Sequence, residues 1–239
     1  MDCASARSDE RVQTRVLVVG GSPEPSSGEL IRSLSSKADF IVAVDHGLDV
    51  LLDSGLACDL FCGDTDSISE RGEALVRIAE QGVIQAEEHA CIKMEVERYD
   101  PHKDFTDLSL ALRAIQARWA HADLICTCMT GGRPDHALAV IGRLASWENG
   151  SARIIEDDFE GSIIREGTTI RYSDRRGDTF SFIPLSTEAT VSETGMRWEL
   201  DHARVPMLSD LGISNVVESA NAGITCHEGL IATWLYTRR

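Results

Sequence analysis

Short β-branched runs alternate with amphipathic stretches through the first 150 residues, and a chain patterned this way closes on a mainly parallel sheet with helices on both faces. The runs at 15–19, 40–44, 60–62 and 124–129 read as buried strands, and 29–36, 47–54, 69–81, 106–117 and 137–146 as helices. In the clearest helix Leu108, Ala111, Leu112 and Ile115 recur at three- and four-residue spacing. After Asn149-Gly150 the pattern changes to β-rich segments at 153–156, 168–172, 179–184, 189–191 and 231–236. Glu166-Gly167, Arg176-Gly177-Asp178, Glu193-Thr194-Gly195 and Glu228-Gly229 supply turns between them. The expected organisation is a disordered lead-in at 1–14, a Rossmann-like α/β domain at 15–150 and a β-sandwich at 151–239.

Composition narrows the function classes. With 43% hydrophobic and 26% charged residues this is an ordinary globular chain, and no apolar run approaches the roughly 18 residues that span a membrane. The polar N-terminus lacks the apolar core of a secretory signal, and seven cysteines without paired zinc-like spacing fit reduced thiols, so a cytoplasmic location is expected. Cys126 and Cys128, two apart, are expected on one strand face as small core residues. A net charge of −16 excludes wrapping nucleic acid, which needs clustered Lys and Arg. It leaves open a small polyphosphate that arrives with its metal.

Four acidic clusters sit at or just beyond the expected strand ends, where parallel sheets present ligand-binding loops. Asp45 directly follows the second strand. In Gly63-Asp64-Thr65-Asp66-Ser67 an extended backbone would point Asp64 and Asp66 the same way, letting them share one hard cation. Lys103-Asp104-Phe105-Thr106-Asp107 opens the clearest helix. Thr106 or Asp104 suits the N-cap, and Asp107 falls in the first turn. Gly131-Gly132-Arg133-Pro134-Asp135-His136 joins strand to helix, with glycines that expose N–H groups and an arginine able to grip phosphate. Together these groups suit phosphoryl-type transfer, in which catalysis is positioning plus charge neutralisation.

The order and spelling of these blocks resemble those of the thiamine pyrophosphokinase family: Val44-Asp45-His46-Gly47, Gly63 to Ile68, Lys103 to Asp107, Gly131 to His136, and Gly212-Ile213-Ser214-Asn215. The resemblance runs from Arg15 to the C-terminus. It implies transfer of the pyrophosphoryl group of ATP to the hydroxyethyl oxygen of thiamine, with Mg²⁺ as cofactor and AMP as the other product. It implies a homodimer that holds thiamine between the catalytic domain of one subunit and the β domain of the other. Asp64, Asp66 and Asp107 then become the Mg²⁺ ligands, and Asp45 and Asp104 complete the acidic site. Lys103, Gly131, Gly132, Arg133, Asp135 and His136 take ATP, while Trp198, Ser214 and Asn215 take thiamine.

This chain departs from the family pattern at His46 and Asp49, and in a longer segment at 87–99, where 92–97 alternates like an extra edge strand. Two other readings use the same first-domain chemistry: a pyrophosphokinase for another heterocyclic alcohol such as a hydroxymethylpterin, and a non-catalytic nucleotide or thiamine-diphosphate sensor.

Overall fold

The computed structural model describes residues 13–81, 93–100 and 104–237. Six parallel strands come first, β1 (Thr14–Val19), β2 (Phe40–Val44), β3 (Leu60–Gly63), β4 (Glu95–Arg98), β5 (Ala122–Thr127) and β6 (Ala152–Ile155), in the spatial order β6-β5-β1-β2-β3-β4. Helices α1 (Gly28–Ser35), α2 (Gly47–Asp53), α3 (Glu70–Glu80), α4 (Asp107–Arg118) and α5 (Pro134–Ala145) lie along the same stretch of chain. Side chains alternate across a strand, so β1 feeds two cores. Val16 and Val18 join Leu108, Leu112 and Ile115 of α4 on one face. Leu17 and Val19 join Ile31 of α1, Leu48 and Leu51 of α2 and Val76 of α3 on the other. Covering both faces is why these strands read as unbroken apolar runs.

The remaining strands are antiparallel. β7 (Phe159–Arg165) pairs with β6, and β14 (Leu230–Tyr236), β9 (Thr179–Pro184) and β12 (Asn215–Val216) extend the same sheet to ten strands. A second sheet orders β11 (Leu200–Pro206), β10 (Glu188–Thr194), β13 (Asn221–Glu228) and β8 (Thr168–Ser173). Phe180, Phe182, Ile231 and Leu235 of the first sheet bury against Val191, Val205 and Ile224 of the second. The architecture is thus an α/β parallel sheet followed by a β-sandwich, as the sequence pattern predicts.

Several details differ from the sequence reading. β5 ends at Thr127, and Cys128 takes a φ of 56°. Cys126 therefore enters the core beneath α4 while Cys128 enters the opposite one, so the two do not share a face. Helix α5 begins at Pro134, three residues earlier than expected, because proline's fixed φ and missing N–H suit a first turn. β10 runs on to Thr194, through Glu193, which the sequence places in a turn. β7, β11, β12 and β13 escape the pattern altogether; Gly161 and Gly223 break the apolar alternation of β7 and β13.

The extra edge strand expected at 92–97 is β4, fastened by Arg118 of α4 to Glu95 at 2.6 Å and Glu97 at 2.7 Å. Residues 1–12 of the expected lead-in, Lys103, and residues 87–92 lie outside the described residues, and β1 already starts at Thr14. No helix among the described residues is long and apolar enough to cross a membrane.

Candidate active site

Asp45 follows β2 and Asp64 follows β3, so both stand at the C-terminal edge of the parallel sheet. Asp45, Asp64 and Asp66 each bring a carboxylate oxygen within 4.8 Å of the others'. The route to this cluster is a turn rather than the extended segment expected. Thr65 has a φ of 72°, and the Asp66 N–H donates to Asp64 Oδ1 at 3.2 Å. Arg98 Nη2 holds Thr65 Oγ1 at 2.6 Å, and Ser67 Oγ donates to Asp45 Oδ2 at 2.5 Å. Burial pushes the Asp45 carboxyl up; the Ser67 bond opposes this, and the charges of Asp107, Asp64 and Asp66 add to it. Asp45 Oδ1 is buried without a hydrogen-bond partner. An all-oxygen donor set with an unsatisfied buried oxygen fits a hard divalent cation.

Thr106 is the N-cap of α4, accepting from the Ser109 N–H at 3.3 Å, and Asp107 sits in its first turn within electrostatic reach of Asp45. Asp104 is exposed in the turn ahead of α4 and outside the trio. His46 and Asp49, which the sequence leaves without a role, brace the loop that carries Asp64 and Asp66. Asp49 accepts from the Ser69 N–H at 2.7 Å and from the Ser69 hydroxyl, while His46 Nδ1 reaches Ser67 O at 3.1 Å.

The loop after β5 carries Gly131 at a φ of 106° and Gly132 at 66°, and a Cβ at Gly132 would lie 2.5 Å from Pro23. The loop thus packs directly on the segment that follows β1. In the order β6-β5-β1-β2 the chain changes direction between β1 and β5, the crevice where open α/β sheets take ligands. Arg133 is exposed and pairs with Asp135 at 2.5 Å, which holds the Asp135 carboxyl down at about 2. His136 is exposed one residue on, the N-cap of α5 has no side-chain bond, and the backbone N–H groups of Asp135 and His136 turn toward the Asp135 carboxylate.

In the sandwich, Asn215 is buried and Ser214 exposed at a φ of 61°. The Asn215 side chain grips both main-chain groups of Trp198: Oδ1 accepts from its N–H at 3.1 Å and Nδ2 donates to its carbonyl at 2.7 Å. Trp198 itself is 59% exposed, so it is not a packed sandwich aromatic. Nδ2 also reaches Glu193 Oε2 at 3.2 Å. Burial pushes the Glu193 carboxyl up to about 7, with that bond opposing. An acid in phase with Ala189 and Val191 was the available signal for it.

Four non-glycine residues at these loops, Asp45, Thr65, Cys128 and Ser214, hold positive φ, and such strain gathers at functional sites.

The family model for "Thiamin pyrophosphokinase, catalytic domain" matches residues 31–155, and that for "Thiamin pyrophosphokinase, vitamin B1 binding domain" matches residues 167–231. The thiamine pyrophosphokinase of Bacillus subtilis (strain 168) is 29% identical over 224 residues, covering 90% of this chain and 94% of that relative. The crystal structure of the Bacillus subtilis enzyme aligns with a TM-score of 0.74 at 26% identity, over 94% of this chain and 100% of that one. Thiamin pyrophosphokinase from Candida albicans aligns at 0.76 and 17% identity, over 95% and 90%, a likeness of fold alone. With more than half of its length inside the catalytic match and the vitamin-binding match following in order, the chain belongs to the thiamine pyrophosphokinase family.

Proposed function

We propose that the chain transfers the pyrophosphoryl group of ATP to thiamine at the acidic centre beyond β2 and β3. The observation that carries the location is the meeting of Asp45, Asp64 and Asp66 within 4.8 Å at the ligand-binding edge of the sheet. Asp64 and Asp66 would hold Mg²⁺, with Asp45 and Asp107 completing the oxygen-rich set. Bound there, the cation would supply charge neutralisation for the transferring phosphates. Gly131, Gly132 and the head of α5 receive the polyphosphate, joined by Lys103 and by Arg133 once a phosphate displaces Asp135. Asp135 and His136 shape this loop. The thiamine hydroxyl oxygen forms a bond to the β-phosphorus, the bond from that phosphorus to the α-phosphate oxygen breaks, and AMP leaves. Either Asp45 or Asp104 orients the hydroxyl and takes its proton.

Thiamine is held by Trp198, Ser214 and Asn215. In the ten-stranded sheet, the strand carrying Asn215 is seven spacings from β2, roughly 30 Å or a little more measured along the sheet. One thiamine does not bridge that span within a subunit, which supports a homodimer whose sites pair one catalytic domain with the partner's sandwich. Met207, Leu208, Leu211 and Ile213, exposed on the connection between β11 and β12, supply apolar surface for such an interface.

Purified protein with ATP, Mg²⁺ and thiamine is expected to release AMP and thiamine diphosphate in equal amounts. Release of neither refutes the assignment, turnover of a hydroxymethylpterin instead favours the other heterocycle, and binding without turnover identifies a sensor.

A further inference from the structure

Glu156 follows β6 and is 9% exposed. Its two oxygens accept six hydrogen bonds. Oε2 takes the Ser26 hydroxyl at 2.6 Å, the Cys128 N–H at 2.9 Å and the Thr127 hydroxyl at 3.3 Å. Oε1 takes the Met129 N–H at 3.0 Å, the Thr130 hydroxyl at 3.2 Å and the Thr130 N–H at 3.3 Å. These donors come from two loops, one after β1 and one after β5, that meet at the crevice in the sheet. Asp157 adds to the bolt, accepting from the Ser27 N–H at 2.6 Å and the Ser27 hydroxyl at 2.7 Å. Ser22 Oγ closes the far side by donating to Thr130 O.

Three successive N–H groups converging on one acceptor make the kind of concavity that ordinarily takes phosphate. Here the protein's own carboxylate fills it. The segment from Thr127 to Thr130 is therefore shaped before any nucleotide arrives, and the donors left for a ligand move one step along the chain to Gly131, Gly132 and Arg133.

We infer that Glu156 is the positioning residue of the nucleotide loop, an internal anion that occupies the N–H concavity and presents Gly131 to Arg133 to the phosphates of ATP. The inference rests on the assignment of ATP to that loop. Glu156 touches no substrate; it acts through the backbone it holds. A carboxylate that merely stabilised the fold would change the amount of active enzyme and leave its affinity for ATP alone.

The full-length variant Glu156→Gln keeps the side-chain shape but sets an amide NH₂ against donor groups. Its KM for ATP is expected to rise by between about ten- and a hundred-fold, the scale of a lost charge-assisted hydrogen bond. KM for thiamine and kcat at saturating ATP should stay within about threefold of the parent, since only ground-state loop geometry changes. Thr130→Val and Ser26→Ala each remove one donor and should raise KM for ATP in the same direction by a smaller factor. They carry the test if Glu156→Gln does not fold. Reduced kcat and melting temperature with KM for ATP unchanged in all three would overturn the inference. Arg133→Ala, measured in parallel, separates the two assignments. An unchanged KM for ATP in Arg133→Ala as well removes the loop as the ATP site, whereas a raised value there alone removes only the role of Glu156.

Discussion

His46 Nδ1 stands 3.1 Å from the carbonyl oxygen of Ser67 and 3.3 Å from Asp49 Oδ2, so the residue after Asp45 also braces the loop that carries Asp64 and Asp66. Asp49 holds the far end of that loop through Ser69, the N-cap of α3. Asp49→Ala is expected to cost about 1 to 3 kcal/mol of stability by leaving these donors unmet. The Mg²⁺ concentration for half-maximal turnover should rise about tenfold, as for other residues that orient ligands. Melting curves and a Mg²⁺ titration of AMP release check both; an unaltered titration would detach the brace from the metal centre.

Asp64→Asn removes one charge from a cluster of like charges. Turnover should fall at least about a hundredfold, the scale of losing a group that neutralises developing charge. Without metal, the folded variant should melt at a higher temperature than the parent, because repulsion within the trio is relieved. Retained activity would show that Asp64 is not a ligand.

Glu193 gives stability a pH dependence of its own. Its carboxyl lies at about 7 in the folded chain against an ordinary 4.5, so the folded state binds the proton more tightly. The associated stability is complete below the unfolded value and is lost as pH rises through about 7. Glu193→Gln should flatten the fall in melting temperature across this window and be the more stable protein at alkaline pH. Parallel slopes for the two proteins would place the charge of Glu193 elsewhere.

Trp198→Ala tests the thiamine side. At 59% exposure the ring contributes little to the fold, so melting should barely move. KM for thiamine should rise by about tenfold or more, the scale of one lost aromatic contact. Quenching of tryptophan fluorescence by thiamine in the parent, absent in the variant, would give the same answer without turnover.

Strand ends followed by acids were legible because burial on both faces forces unbroken apolar runs, and the residues just beyond them must turn. Asp45, Asp64 and Asp66 follow from that rule alone. Glu156 and Glu193 do not. Each is a lone acid whose meaning depends on which loop or strand lies opposite, a relation of long sequence separation that no local pattern carries. The sandwich strands β7 and β13 were lost for a related reason. Gly161 and Gly223 sit where a neighbouring backbone comes close, Gly161 beneath Thr233 and Gly223 beneath Ile170, and the missing side chain erases the alternation.

The ten-stranded sheet runs unbroken through both halves of the chain. β6 is laddered on one side to parallel β5 and on the other to antiparallel β7. Cutting the chain between them would bare a row of unpaired N–H and C=O groups on an apolar strand, a ready template for self-association. The catalytic portion expressed by itself should therefore aggregate, and a destabilising lesion in the sandwich should cost solubility before it costs chemistry.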